Sequence, residues 1–78
     1  MVNEQTLRQV MATVLRIPVE SINENTSMDD VESWDSLKHM NLVLALEDEF
    51  KVSIPDEDAA NITSYQLIKV VLDELVSG

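Results

Sequence analysis

Leu7, Val10, Met11, Val14 and Leu15 recur at the three-and-four spacing of a helix, and two later stretches of the chain repeat the pattern. Nowhere do apolar and polar residues alternate as a half-buried strand requires. With 78 residues there is room for one domain around one small core. The spacing therefore predicts a small all-α bundle formed by residues 1–78 as a single domain, and any function must sit on that one scaffold.

Punctuation residues divide the chain. Asn3 is a plausible cap for a first helix that reaches about Arg16 and that Pro18 ends. From Ile17 to Trp34 the pattern lapses into Ser, Asn, Thr and Asp. This long loop is expected to cross the bundle, pinned by Ile17, Val19, Ile22, Met28 and Val31. Asp35 is a good N-cap for a second helix from Ser36 to about Lys51. Pro55 with Asp56, Glu57 and Asp58 starts a short third helix, and Thr63-Ser64-Tyr65-Gln66 has capping-box form ahead of a last one. In that last helix Ile68, Val71, Leu72 and Leu75 make the core stripe. The expectation is three main helices, one short helix and one long loop between helices one and two.

Several chemistries are excluded. The one glycine is Gly78, so the backbone lacks the usual means to cradle a phosphate or to build a nucleophile elbow. There is no cysteine, which excludes disulfides and thiolate metal sites and favours a reducing compartment. The single histidine, His39, cannot form a multi-histidine metal site, and no calcium-loop pattern occurs. Fifteen acidic residues against five basic give a net charge of −10, which repels nucleic acid and anionic membranes and favours basic protein surfaces. No segment reads as a signal peptide or a membrane span, so a cytoplasmic monomer is expected.

On the second helix the apolar residues fall into two sets. Leu42, Val43, Leu46 and Phe50 share one face, while Leu37, Met40 and Leu44 share another, a quarter turn or more away. One face suffices to join a bundle, so the second is either more core or an exposed docking surface. Ser36 lies in the first turn, where free N–H groups and the helix dipole favour an anion. It either helps to cap the helix or carries a phosphate on its oxygen, and Asp35 is already available as the cap. A hydrolase pairing of Ser36 with His39 lacks an oxyanion loop, and His39 turns toward the Val43 and Phe50 side as a partly buried side chain. No catalytic residues are assigned.

Asp35-Ser36-Leu37, followed by the run LVLALEDEFKVSIPDEDAANITS from Leu42 to Ser64, resembles the acyl carrier protein family. The resemblance extends over essentially the whole chain and implies an acyl-carrier-like four-helix fold. It implies that Ser36, between Asp35 and Leu37, bears a 4′-phosphopantetheine arm donated by coenzyme A, whose thiol holds acyl intermediates as thioesters. It further implies a phosphopantetheinyl transferase and acyl-loading and acyl-transferring enzymes as partners, in fatty-acid-like, polyketide or other specialised acyl metabolism. Leu37, Met40, Asn41, Leu44, Glu47 and Asp48 would form the partner surface. Glu32-Ser33-Trp34 stands where fatty-acid carriers usually have a glycine, and Lys38 and Asn41 stand where carboxylates are frequent. These departures point to a specialised stand-alone carrier. The competing readings are an unmodified acidic adaptor and a carrier of aminoacyl cargo.

Overall fold

In the computed structural model, which describes residues 2–77, four helices follow in order: α1 (Glu4–Leu15), α2 (Ser36–Phe50), α3 (Asp56–Asn61) and α4 (Tyr65–Ser77). A single 3₁₀ turn at Val19–Ser21 interrupts the connection from α1 to α2. Asn3 caps α1 as expected, its Oδ1 accepting from the amides of Gln5 and Thr6. The three longer helices converge on one core. Leu7, Met11 and Leu15 of α1, Leu42 and Leu46 of α2, and Ile68 and Leu72 of α4 are all fully buried. Each such side chain contributes about 1.5–3 kcal/mol through removal of apolar surface from water. The connections complete the core with Ile22, Trp34, Ile54 and Ile62.

Both long helices that begin the bundle end without glycine. Arg16 (φ 59°) and Lys51 (φ 57°) adopt the left-handed conformation, and the following amides, of Ile17 and Val52, turn back to the carbonyls of Ala12 and Glu47. A side chain in this region costs roughly 1–2 kcal/mol. The stop of α1 is therefore at Arg16 and not at Pro18, which instead leads into the 3₁₀ turn.

The long connection is stitched to the bundle. The amide of Met28 donates to the carbonyl of Thr63, and the amide of Tyr65 donates to the carbonyl of Thr26, forming an isolated antiparallel bridge at Ser27 and Ser64. The second of these bonds satisfies an amide that the first turn of α4 leaves free. Thr26 is buried, and its Oγ1 accepts from the amide of Asn23. Ile22 anchors the segment and Ile17, Met28 and Val31 pack beside the core, whereas Val19 is 39% exposed and does not pin it. The cap of α4 also differs from the expected capping box. Ser64, not Thr63, caps that helix, its Oγ accepting from the amide of Leu67.

Tyr65 ties the two ends of the chain together. Its hydroxyl donates to Glu4 Oε1 at 2.9 Å, and Lys69 Nζ lies 3.3 Å from Glu4 Oε2. The Tyr65 hydroxyl first, and then Lys69, hold the Glu4 carboxyl below its usual range. Burial, reinforced by the Glu4 carboxylate, pushes the phenol from 10.0 up to about 12. A raised folded-state value means that stability is intact below the unfolded value and falls as pH rises toward the folded one. Equilibrium unfolding followed by circular dichroism should accordingly show stability declining between about pH 10 and pH 12. Tyr65→Phe should lack that decline while being less stable at neutral pH.

Candidate functional site

Three consecutive residues fix the backbone where α2 begins. Ser33 Oγ donates to the carbonyl of Leu15 at 2.7 Å, joining this corner to the end of α1. Trp34 is 2% exposed, and its Nε1–H donates to His39 Nδ1 at 3.1 Å. Asp35 Oδ1 accepts from the Lys38 amide at 2.9 Å and caps the helix. The next residue is Ser36, the first of α2, and it is exposed. Among the described residues its hydroxyl makes no hydrogen bond, because Asp35 has taken the cap. The capping alternative for Ser36 is thereby set aside.

Trp34 and His39 occupy the two positions, just before the cap and four residues into the helix, where an apolar pair often fixes the entry of the chain. Here the pair is polar as well as stacked, with ring centroids 6.1 Å apart and planes 23° from parallel. The imidazole continues the chain of bonds. With Nδ1 accepting from Trp34, Nε2 bears the hydrogen and donates to the carbonyl of Ala59 in α3 at 2.6 Å. The loop, α2 and α3 are thus joined through one ring. The sequence reading identified His39 as half-buried but missed Trp34 as its partner. The spacing of Trp34 and His39 around Asp35 was the available signal.

Leu37, Met40 and Leu44 are 68%, 66% and 61% exposed, so the second apolar set of α2 faces solvent rather than core. Asn41 is exposed beside them. Asp48 is also exposed and lines a shallow groove with Thr6, Val10 and Ala45 on the α1 side of the strip. Glu47, on the opposite side, requires a correction. Its Oε2 accepts from the Ile54 amide at 2.6 Å, so this half-buried carboxylate organises the turn between α2 and α3 and is not a free docking charge. Between α2 and α3 lies an open groove of about 320 Å³ walled by Met40, Val43, Leu44, Ile54, Ala59 and Ala60. His39, Glu47 and Asp56 add polar edges. Helical geometry places His39, Met40 and Val43 three, four and seven residues beyond Ser36, so the groove opens one turn along the same face as the serine.

The start of α2 suits a phosphodiester. Among the described residues the amides of Ser36 and Leu37 have no protein partner, and the helix dipole adds a positive end there. Nothing covers the hydroxyl, so a long substituent can leave it without displacing a side chain. Among the described residues no group of His, Cys, Asp or Glu could hold a metal ion, and no helix is long and apolar enough to cross a membrane.

Residues 5–69 match the family model described as the phosphopantetheine attachment site. The chain is 38% identical over 63 residues to the acyl carrier protein of Buchnera aphidicola subsp. Schizaphis graminum, an alignment that spans 81% of this chain and 80% of that protein. The fold is similar to the solution structure of the holo acyl carrier protein from Geobacter metallireducens, with a TM-score of 0.82 and 24% identity over 92% of this chain and 83% of that one. The exposed serine at the start of α2, the four-helix frame and these matches agree: the chain belongs to the acyl carrier protein family, whose members are carriers rather than enzymes and hold 4′-phosphopantetheine as a covalent cofactor.

Proposed function

We propose that Ser36 Oγ is the attachment point of 4′-phosphopantetheine and that the protein presents acyl intermediates to biosynthetic enzymes of fatty-acid-like, polyketide or other specialised acyl metabolism, as a cytoplasmic monomer. The observation that supports this best is the uncommitted Ser36 hydroxyl, exposed at a helix start whose capping is done by Asp35. The thiol at the end of the arm holds the acyl group as a thioester. The chain's own residues position it. Asp35 sets the first turn, the amides of Ser36 and Leu37 would hold the phosphate, and Leu37, Met40 and Leu44 would offer apolar surface to whichever enzyme reaches for the arm.

Attachment joins the Ser36 oxygen to the phosphorus that bears the pantetheine half of coenzyme A. The bond from that phosphorus to the nucleotide half breaks, and the nucleotide leaves with its phosphate. The hydroxyl proton goes to a base on the transferase, because both ring nitrogens of His39 are engaged by Trp34 and Ala59. Membership of the family supplies the general partners, a phosphopantetheinyl transferase and acyl-handling enzymes. The net charge of −10 suits basic partner surfaces.

Intact-mass measurement tests the attachment. Incubation with coenzyme A and a broad-specificity phosphopantetheinyl transferase should add one arm to the wild type and none to Ser36→Ala. An unlabelled wild type would leave an unmodified adaptor as the reading. For the partner surface, Met40→Ala should weaken a cognate enzyme by about 1–2 kcal/mol in calorimetry, from lost apolar burial, with an unchanged salt dependence. Asp48→Lys should act the other way, slowing association mainly at low salt. Glu47→Lys is not a clean probe of steering, since it also removes the acceptor of the Ile54 amide.

A further inference from the structure

Met40 puts a thioether in the middle of the surface offered to partner enzymes. The chain has no cysteine, so no thiol of its own competes with its methionines for an oxidant. Three methionines lie among the described residues, and the fold treats them differently. Met11 is fully buried in α1, Met28 is half-buried where the long connection packs beside the core, and Met40 is 66% exposed on α2. Met40 stands between the other two members of the exposed strip, three residues after Leu37 and four before Leu44, and one turn beyond Ser36. Leu37 and Leu44 are inert hydrocarbon, whereas the Met40 sulfur can change its polarity. The fold does not rest on it. Leu42 and Leu46 fasten α2 to the core and Asp35 caps its first turn.

We infer that Met40 is a site of reversible oxidation and that its sulfoxide closes the docking strip to partner enzymes, so that use of Ser36 responds to peroxides. The inference rests on Ser36 as the attachment point and on the strip as the partner surface. In the oxidation step a lone pair of the thioether sulfur attacks one oxygen of hydrogen peroxide, an S–O bond forms and the O–O bond breaks. The sulfur gives up two electrons, and the departing hydroxide takes the proton from the transferred oxygen and leaves as water. The product is uncharged but carries a strong acceptor oxygen within an apolar surface. An enzyme that covers it must strip water from that oxygen without returning a hydrogen bond, which opposes binding. Most of the Met40 side chain is already in water, so the change disturbs no core contact. The two methionine sulfoxide reductases, one for each epimer, restore the thioether.

The test treats the full-length protein with hydrogen peroxide before it carries the arm, then removes the peroxide and adds coenzyme A with a broad-specificity phosphopantetheinyl transferase. Peptide mass mapping locates the sulfoxides, circular dichroism follows the helices, and intact mass gives the rate at which the arm is attached. Met40 should be oxidised ahead of Met28 and Met11, in the order of their exposure. Treated wild type should load about fivefold more slowly than untreated wild type at unchanged helix content, and the reductases should return the rate. Met40→Leu, compared with its own untreated form, should show no effect of peroxide although Met1, Met11 and Met28 remain in it. Met40→Gln, whose amide oxygen stands in for that of the sulfoxide, should load slowly without any oxidant. The inference is overturned by oxidation of Met40 that leaves loading unchanged, by slow loading accompanied by loss of helix, or by equal slowing of Met40→Leu. Met40→Gln separates this failure from that of the docking strip. If it loads slowly while the sulfoxide does not, only the redox role falls; if neither slows loading, the strip falls as partner surface too. A wild type that takes no arm overturns the attachment at Ser36 together with the inference.

Discussion

The hydrogen bonds made by the His39 ring hold together the part of the molecule on which everything else depends. Through Nδ1 the ring receives the Trp34 indole and through Nε2 it reaches the Ala59 carbonyl, so one side chain of α2 fixes both the end of the long loop and the position of a six-residue helix. Such a short helix has little stability of its own, because nucleation costs more than a few bonds return. Helix α3 persists because Ile54 and Ile62 on either side of it are buried and because His39 and Glu47 bind the backbone at Ala59 and Ile54. The groove wall, the entrance of α2 and the setting of Ser36 share this one support.

The same region separates rigidity from exposure. Ser33, Trp34 and Asp35 are each committed to a different element, one to the end of α1, one to the core and one to the first turn of α2. Ser36 comes next, and among the described residues its hydroxyl is committed to nothing. As the attachment point proposed above, Ser36 would gain from standing on a backbone that does not move and from having no interaction to give up. The apolar strip of Leu37, Met40 and Leu44 then continues from it along a helix whose opposite face, Leu42 and Leu46, is fully buried. Rotation of α2 would expose that core, so the strip is held outward by the burial behind it.

Charge is distributed to match. Glu4 and Glu47, which the composition counts simply as acids, are engaged with Tyr65 and Lys69 and with the Ile54 amide. Asp35 is spent on the cap of α2. The acids not engaged in such bonds include Asp48 at the margin of the strip and Asp56 at the groove, both exposed. Lys38 and Asn41 near the start of α2 make the surface beside the serine less negative than its far end. On the proposed reading, contact near Ser36 would be dominated by apolar surface and long-range attraction would come from farther along.

The sequence by itself determined the helices, the caps at Asn3 and Asp35, and the candidate serine, because these follow from side-chain periodicity and from local bonding between residues three or four apart. It also identified two apolar faces on α2 but could not say whether the second was exposed. That depended on where α1, α4 and Trp34 lie, and only packing decides it. The ends of α1 and α2 were blurred for a related reason: Arg16 and Lys51 take a left-handed conformation that sequence normally announces with glycine. Thr26 and Trp34 do lie in the connection as read, but their burial was not foreseen because it comes from partners distant in the chain, Tyr65 of α4 for the one and the core for the other. Glu47 read as a surface acid because nothing in a helical pattern reveals that the chain, seven residues later, turns its Ile54 amide back onto that carboxylate. Tertiary structure alone decided which polar groups were free to act and which were already bound, since a hydrogen bond between distant residues leaves no period in the sequence.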